Sequence, residues 1–466
     1  MPVVVLGAAA AYAWADAADL VPGVFTSTPQ KLPPAPFITA AGAVASPGPT
    51  GPVADLFTDA PLPNSTTVNA LAKALRGDER TGDSTNVAVL DYMTGEAVGG
   101  ISASDGQVPA STMKLLTATA ALHALGPDFT TTTDVTWDAA SRTLTLIAGG
   151  DLMLAAGEGH RGVGREGELD RANGWAGMGD LATLVESVLG ASAPAKVNVA
   201  VDDTSFPGPS WPDAWPEYAR VNGYAAPVTG LAVNVARVQG QGYGDRYQDP
   251  SLSAARDFGA ALEAKGFAVG TIEHADNSAD APIVASVESA PLSAVTDYFL
   301  GVSDNTIAEV VARVLAKETG QAVNPLGAAA ATIIQLRDMG VDTTGMAIFD
   351  GAGFSENNQI SPLQLASTIV QSRTDPNTSD VIEYLPLGGL EGTVGARYAD
   401  TDAAGYLRAK TGSLTGVTTM AGVITTADGR VLAFAAMADG MPYGQSQPKA
   451  AIDGFVAALA DCGCQN

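Results

Sequence analysis

The chain reads PASTMKLLTAT from Pro109 to Thr119. Ser111 and Lys114 stand three residues apart, at the start of an apolar run. That run predicts a helix with Leu115, Leu116, Leu122 and Leu125 on its apolar side and Gly126 as its stop. At this spacing the two polar side chains are neighbours on the helix surface. A serine at a helix start has an exposed hydroxyl and a backbone N–H without a helical partner. A lysine becomes a base when burial or a nearby cation lowers its pKa. Two ordinary surface residues would read the same way. A second Ser-x-x-Lys occurs at Ser446–Lys449, where the internal Pro448 predicts a loop, so the stretch decides nothing alone.

Distant segments decide it. Ser-x-Asn occurs at Ser84–Asn86, Ser303–Asn305 and Ser355–Asn357, but only Ser303-Asp304-Asn305 immediately precedes a predicted helix, NTIAEVVARVLAKETG. Lys410-Thr411-Gly412 occurs once and enters a predicted strand. Chemically these segments complement the first. Lys410 can supply the second positive charge that keeps Lys114 neutral. Ser303 can relay a proton from either lysine to a leaving nitrogen, and Asn305 offers its amide to a substrate backbone. Lys410 and Thr411 suit a terminal carboxylate. The backbone N–H groups of Ser111 and, beyond Gly412, of Ser413 suit an oxyanion.

In this order, the three segments resemble the penicillin-recognising serine enzymes, the class A β-lactamases and penicillin-binding proteins. Ser303 follows Ser111 by 192 residues, a gap that the compact β-lactamases do not have. The chain is therefore identified more closely with the D-alanyl-D-alanine carboxypeptidases of the class C low-molecular-mass penicillin-binding proteins. Further stretches look like that family: GGDLML (149–154), VDDTSF (201–206), YAAPVTGLAVN (224–234), FDGAGFS (349–355) and LPLGGLEGTVGARY (385–398). The resemblance covers roughly residues 60–460. It implies an α/β (α+β) transpeptidase-like body, an antiparallel sheet flanked by helices, interrupted by a β-rich inserted domain. It implies hydrolysis of the terminal D-Ala from peptidoglycan stem peptides, or of D-Ala-linked cross-bridges, through an acyl-enzyme on Ser111. β-Lactams would acylate the same serine. No Glu-x-x-Leu-Asn follows the Ser303 segment, so a penicillin target is expected and not an efficient β-lactamase.

Two departures bear on specificity. The insertion is shorter than in the best-known members. Relatives that grip a diaminopimelate side chain commonly carry arginine after the DG-x-G-x-S motif, where this chain has Glu356. A glutamate would repel the extra carboxylate and suit a plain amine, lysine or ornithine; the alternative is a solvated loop charge. The resemblance also implies that Asp151, in GGDLML, reads the same side chain's amino group.

Composition bounds these readings. Twenty-four Lys and Arg face 50 Asp and Glu, a net charge of −26 that repels nucleic acid and anionic lipid. With two cysteines and three scattered histidines (His123, His160, His274), no metal site or cofactor is expected. Cys462 and Cys464 form a terminal CGC, read as a loose tail. Residues 1–26 contain a twelve-residue apolar run without a basic flank, read as a signal peptide or truncated membrane anchor. The substrate that the resemblance implies, with this apolar N-terminus in support, implies an extracytoplasmic protein, secreted or anchored. Residues 27–52 read as a Pro/Ala/Gly-rich linker. The body is expected from 53–148 and 287–466, with the insertion at 149–286.

The remaining candidates have plain readings. Asp350 and Glu391 sit in Gly-rich turns, where a carboxylate bonds its own backbone. Glu309 and Arg313 are an ordinary i,i+4 pair, and Trp211 and Trp215 are packing residues. One alternative from another class stands: a non-catalytic wall-binding protein on the same fold. It has no need to keep Ser111, Lys114, Ser303 and Lys410 together.

Overall fold

The computed structural model describes residues 59–82, 84–161, 172–190, 196–240, 242–441 and 446–463. The expected leader and linker, and Cys464, lie outside them. In chain order the elements are α1 (Ser65–Arg76), β1 (Ser84–Asp91), β2 (Ala97–Ile101), a 3-10 turn (Ala110–Thr112), α2 (Met113–Leu125), β3 (Thr132–Asp138), β4 (Thr143–Ile147) and β5 (Asp151–Leu154). There follow α3 (Met178–Leu189), β6 (Val197–Asp202), α4 (Glu217–Val221), β7 (Leu231–Val233), α5 (Pro250–Ala264), β8 (Val269–His274) and β9 (Ile283–Glu288). The last are α6 (Leu292–Val302), α7 (Asn305–Glu318), α8 (Pro325–Asp338), α9 (Pro362–Ser372), β10 (Leu407–Leu414), β11 (Val417–Thr425), β12 (Val431–Asp439) and α10 (Ser446–Ala460).

The first sheet joins the two ends of the described chain. Its order is β10-β11-β12-β1-β2, antiparallel throughout. Its strands are apolar on both faces because both are covered. Val87, Val89, Phe434 and Ala436 pack with Val68, Leu75, Phe455 and Val456 of α1 and α10. The alternate residues Ala88, Leu90, Ala433 and Ala435 belong to a second core with Leu365 and Ile369 of α9 and Leu115 and Leu116 of α2. The turns at Met93–Gly95 and Ala427–Gly429 join strand pairs as their residues predict. Helix α2 differs from the amphipathic expectation. Residues Met113–Leu122 are all buried, since α7, α8 and α9 surround it.

The second sheet, β8-β6-β4-β3-β9, is mixed: β4 to β6 and β6 to β8 are parallel. Parallel neighbours need crossovers, and α3 and α5 cover the sheet, burying Leu181, Val185, Phe258 and Leu262 against Val135, Leu146 and Val199. The segment thus carries helices beside its strands. Its first strands begin at Thr132, ahead of the boundary expected at 149, and β9 runs through the boundary expected at 286/287. β3 pairs with both β4 and β9, so the first and last strands of this sheet in chain order lie side by side.

LAVNVARVQG (231–240) carries only a three-residue strand. β7 stops after Val233, and Asn234, Val235 and Ala236 take positive φ of 47°, 53° and 55°. Each non-glycine residue held this way costs about 1–2 kcal/mol. The turn delivers Arg237 to the site described next. At the C-terminus Cys462 is buried, so the chain is anchored there rather than loose. The Ser446–Lys449 stretch lies on α10 and not in a loop; Pro448 is tolerated because a helix's first turn has no backbone bond to lose.

Candidate active site

The nucleophile candidate sits where two segments press on a helix start. Ala110, in the 3-10 turn that leads into α2, has φ 46°, a left-handed residue immediately before Ser111. A Cβ on Gly412 of β10 would lie 2.8 Å from the Ser111 nitrogen and 2.2 Å from Thr419 Oγ1, so only glycine lets the strand approach this closely. From the other side, a Cβ on Gly353 would lie 1.9 Å from the Ala110 carbonyl oxygen. Thr419 on β11 donates to the Pro109 carbonyl at 2.7 Å, tying the sheet to the turn.

Lys114 is fully buried. Its Nζ donates to Ser111 Oγ at 2.9 Å, Asn305 Oδ1 at 2.6 Å and the Ala352 carbonyl at 2.7 Å. Those acceptors fill its three donor positions. Burial lowers its pKa from 10.5 to about 7, against the opposing charges of Asp350 and Asp304. Lys410 is also fully buried, and burial, then the Lys114 charge, hold it well below the usual lysine value. Its Nζ donates to Ser303 Oγ at 2.9 Å and to the Thr411 carbonyl at 2.9 Å. Ser303 is thus coupled directly to Lys410.

The Ser303 segment is a corner between helices. Ser303 ends α6 in a left-handed conformation, φ 61°. Asp304 caps α7, accepting from the Thr306 and Ile307 amides at 3.0 and 3.1 Å. Its other oxygen meets Arg237 Nη2 at 3.1 Å in a buried ion pair. Asn305 Nδ2 donates to the Tyr224 carbonyl at 2.8 Å, so Asn305 holds Lys114 as well as keeping one amide N–H for a substrate.

The loop that supplies the Ala352 carbonyl is built on Asp350. As its Gly-rich turn predicts, Asp350 accepts from the amides of Ala352, Gly353, Phe354 and Ser355. Glu309 and Arg313 are not a surface pair. Both are fully buried, Glu309 accepts from the Gly351 amide at 2.8 Å, and burial raises its pKa to about 7. Trp215 packs edge-on against Phe354, with Trp211 behind it, as packing residues.

One open cleft is lined by Ser111, Ser303, Asn305, Thr411, Gly412 and Ser413. Tyr218, Tyr224, Tyr243 and Phe354 also line it, as do Thr393, Arg397 and Lys449. The sequence reading had not assigned these last seven residues to a site. They come from α4, from loops and from α10; Tyr224, Phe354, Thr393 and Arg397 lie within the family-like stretches, but nothing in the sequence marks them one by one as cleft residues. Two expected residues stand elsewhere. Asp151 is buried beside an apolar cavity lined by Leu125, Phe129, Val310 and Val314. Its Oδ1 accepts the Met153 amide and burial raises its pKa to about 6; pairing of β5 with β7 holds it there, away from the cleft residues. Glu356 is exposed; burial first, then the Glu356 charge, raise the pKa of the Tyr218 phenol.

A buried lysine on a helix-borne serine, backed by a second lysine and serine, defines a serine acyl-transfer site on a penicillin-recognising fold. The chain belongs to the D-Ala-D-Ala carboxypeptidase 3 (S13) family, which it matches over residues 67–244 and 236–462. It is 32% identical over 459 residues to Carboxypeptidase DacB of Mycolicibacterium smegmatis, covering 96% of this chain and 94% of that one. Among solved structures it is similar to penicillin binding protein 4 (dacB) from Haemophilus influenzae, with TM-score 0.67 and 18% identity, covering 83% of this chain and 98% of that chain. A structure of that protein complexed with a β-lactam aligns with TM-score 0.60 and 19% identity, over 83% and 98%.

Proposed function

We propose that the residues gathered around Ser111 carry out the family's D-alanyl-D-alanine carboxypeptidase reaction as follows. Ser111 Oγ attacks the penultimate D-Ala carbonyl while neutral Lys114 takes its proton. The oxyanion is held by the backbone N–H groups of Ser111 and Ser413. Ser303, bonded to Lys410, passes a proton to the leaving nitrogen and takes one back from the Lys114 ammonium, and the C–N bond breaks to release D-Ala. Water then hydrolyses the ester and Ser111 recovers its proton. Thr411 and Lys410 seat the terminal carboxylate. The observation that carries this reading is the 2.9 Å bond between Ser111 and a fully buried lysine whose pKa is lowered to about 7.

The peptidoglycan stem peptide is the substrate of this reading, and a β-lactam would remain on Ser111 as a stable acyl group. The same chemistry extends to D-Ala-linked cross-bridges. Both substrates lie outside the cytoplasm, in keeping with an exported protein held at the membrane, if at all, by its N-terminal segment. Nucleic acid is not a partner of a chain carrying −26. Glu356 favours lysine or ornithine at the third stem position. The segment bounded by β3 and β9 is read as an inserted domain. The test is labelling with a fluorescent penicillin: covalent label on the native protein and none on Ser111→Ala supports the enzyme. Label on neither favours the wall-binding alternative.

A further inference from the structure

The cleft carries a charge opposite to that of the protein around it. In a chain with 50 acidic and 24 basic residues, the charged side chains that line it are Arg397 and Lys449, with no carboxylate among the described lining residues. Arg397 stands on the Thr411 side, and Lys449 is near enough to Arg397 for the two charges to act on each other. Thr411 Oγ1 bonds Thr393 Oγ1 at 2.9 Å, and Arg397 follows Thr393 by four residues. Lys449 comes from α10, from the Ser-x-x-Lys stretch that matched the catalytic pattern by chance.

Lys449 is half-buried, and burial, then the Arg397 charge, lower its pKa. Asp453, one turn on, is where an i,i+4 partner would stand. Its oxygens are already taken: Arg397 Nε and Nη2 bond both, and the Tyr398 hydroxyl bonds one. Arg397, Lys449 and Asp453 therefore leave one positive charge over. The Asp453 charge still reaches Lys449, but among the described residues no carboxylate bonds it, and a half-buried ammonium so placed is unfavourable unless a ligand supplies a further anion. The terminal carboxylate already has Lys410 and Thr411, so this charge faces a further one.

We propose that Lys449, steadied by Arg397, is a specificity residue on the leaving-group side of the cleft, binding a carboxylate of an acidic stem peptide that leaves when a cross-bridge is cut. The inference rests on the acyl-transfer reading above and deepens it. In that cleavage the D-Ala carbonyl passes to Ser111, and the amide nitrogen takes a proton from Ser303 and departs as the side-chain amine of the neighbouring stem. That stem carries carboxylates which a single departing D-Ala lacks.

The test compares full-length native protein with Lys449→Met and Lys449→Arg on three purified probes. These are a monomeric pentapeptide, a D-Ala-linked muropeptide dimer, and the same dimer with the acceptor stem's carboxylates amidated. Lys449→Met is expected to lower the ratio of kcat/KM on the dimer to that on the pentapeptide about tenfold, the size of one charge-assisted hydrogen bond. Lys449→Arg restores the ratio, and amidation abolishes the difference between native protein and Lys449→Met. Equal losses on pentapeptide and dimer, an unchanged ratio, or a native protein that does not cut the dimer would each overturn the inference while leaving the carboxypeptidase reading intact. If penicillin does not acylate the native protein and the pentapeptide is not hydrolysed, the underlying reading fails with it.

Discussion

Replacing Lys114 by methionine separates chemistry from stability. A drop in pKa from 10.5 to about 7 means that the fold disfavours the charged lysine by roughly 5 kcal/mol. Methionine has a similar length and no charge, so it removes that cost. It also removes three donors, leaving Asn305 Oδ1 and the Ala352 carbonyl without Lys114. Each orphaned buried acceptor costs about 1–3 kcal/mol, so the two effects roughly cancel and stability at pH 7 stays within about 2 kcal/mol of the native value. The pH dependence carries the sign. Between pH 7 and 10.5 the unfolded chain binds the Lys114 proton and the folded chain does not, so native stability rises with pH across this window and is flat with respect to Lys114 below it. Lys114→Met loses up to about 1.4 kcal/mol per pH unit of that rise. Urea titrations at pH 7 and 9.5, with penicillin acylation rates on the same samples, measure both. Acylation falls by about 10²–10⁴, the range of a lost general base. A variant that unfolds at pH 7, or that acylates within tenfold of the native rate, would refute the reasoning.

Gly412→Ala forces β10 off the helix start, because its Cβ would meet Thr419 Oγ1 and the Ser111 nitrogen. Overpacking of about 1–3 kcal/mol is expected in denaturant midpoints. A displacement near 1 Å lowers acylation about 100-fold. Arg237→Met strands the Asp304 carboxylate in a buried site, so a loss of about 3–5 kcal/mol is expected, read by urea unfolding. Glu356→Arg is expected to move turnover about tenfold or more toward pentapeptides containing diaminopimelate over those containing lysine, as one paired carboxylate would. Unchanged selectivity would assign Glu356 to solvent.

The central motifs were legible because each is local. Ser111 and Lys114 share one helix start, and Asp304 caps α7 in the place its sequence predicts. Strand pairs around Met93–Gly95 and Ala427–Gly429 were legible for the same reason: alternating apolar runs meet at turn residues. What escaped is what tertiary structure alone brings together. Arg237 reaches Asp304 through three left-handed residues, of which only Asn234 has any preference for that conformation. The Ala352 carbonyl, a ligand of Lys114, has no side chain to mark it. The strands of Thr132–Ile147 carry no mark of the sheet they join, and only the pairing with β9 shows it. Family likeness gives Asp151 a role but not its surroundings, and it stands buried beside Val310 and Val314. Lys449 was set aside because a proline precedes it, although proline suits the first turn of α10.

The claim that a neutral, buried Lys114 activates Ser111 is tested most directly by the pH dependence of penicillin acylation, measured from pH 5 to 9 by stopped flow. The account predicts a rate that rises with pH and levels off, with its midpoint near 7, where Lys114 loses its proton. A rate independent of pH, or one still climbing toward 10, would contradict it.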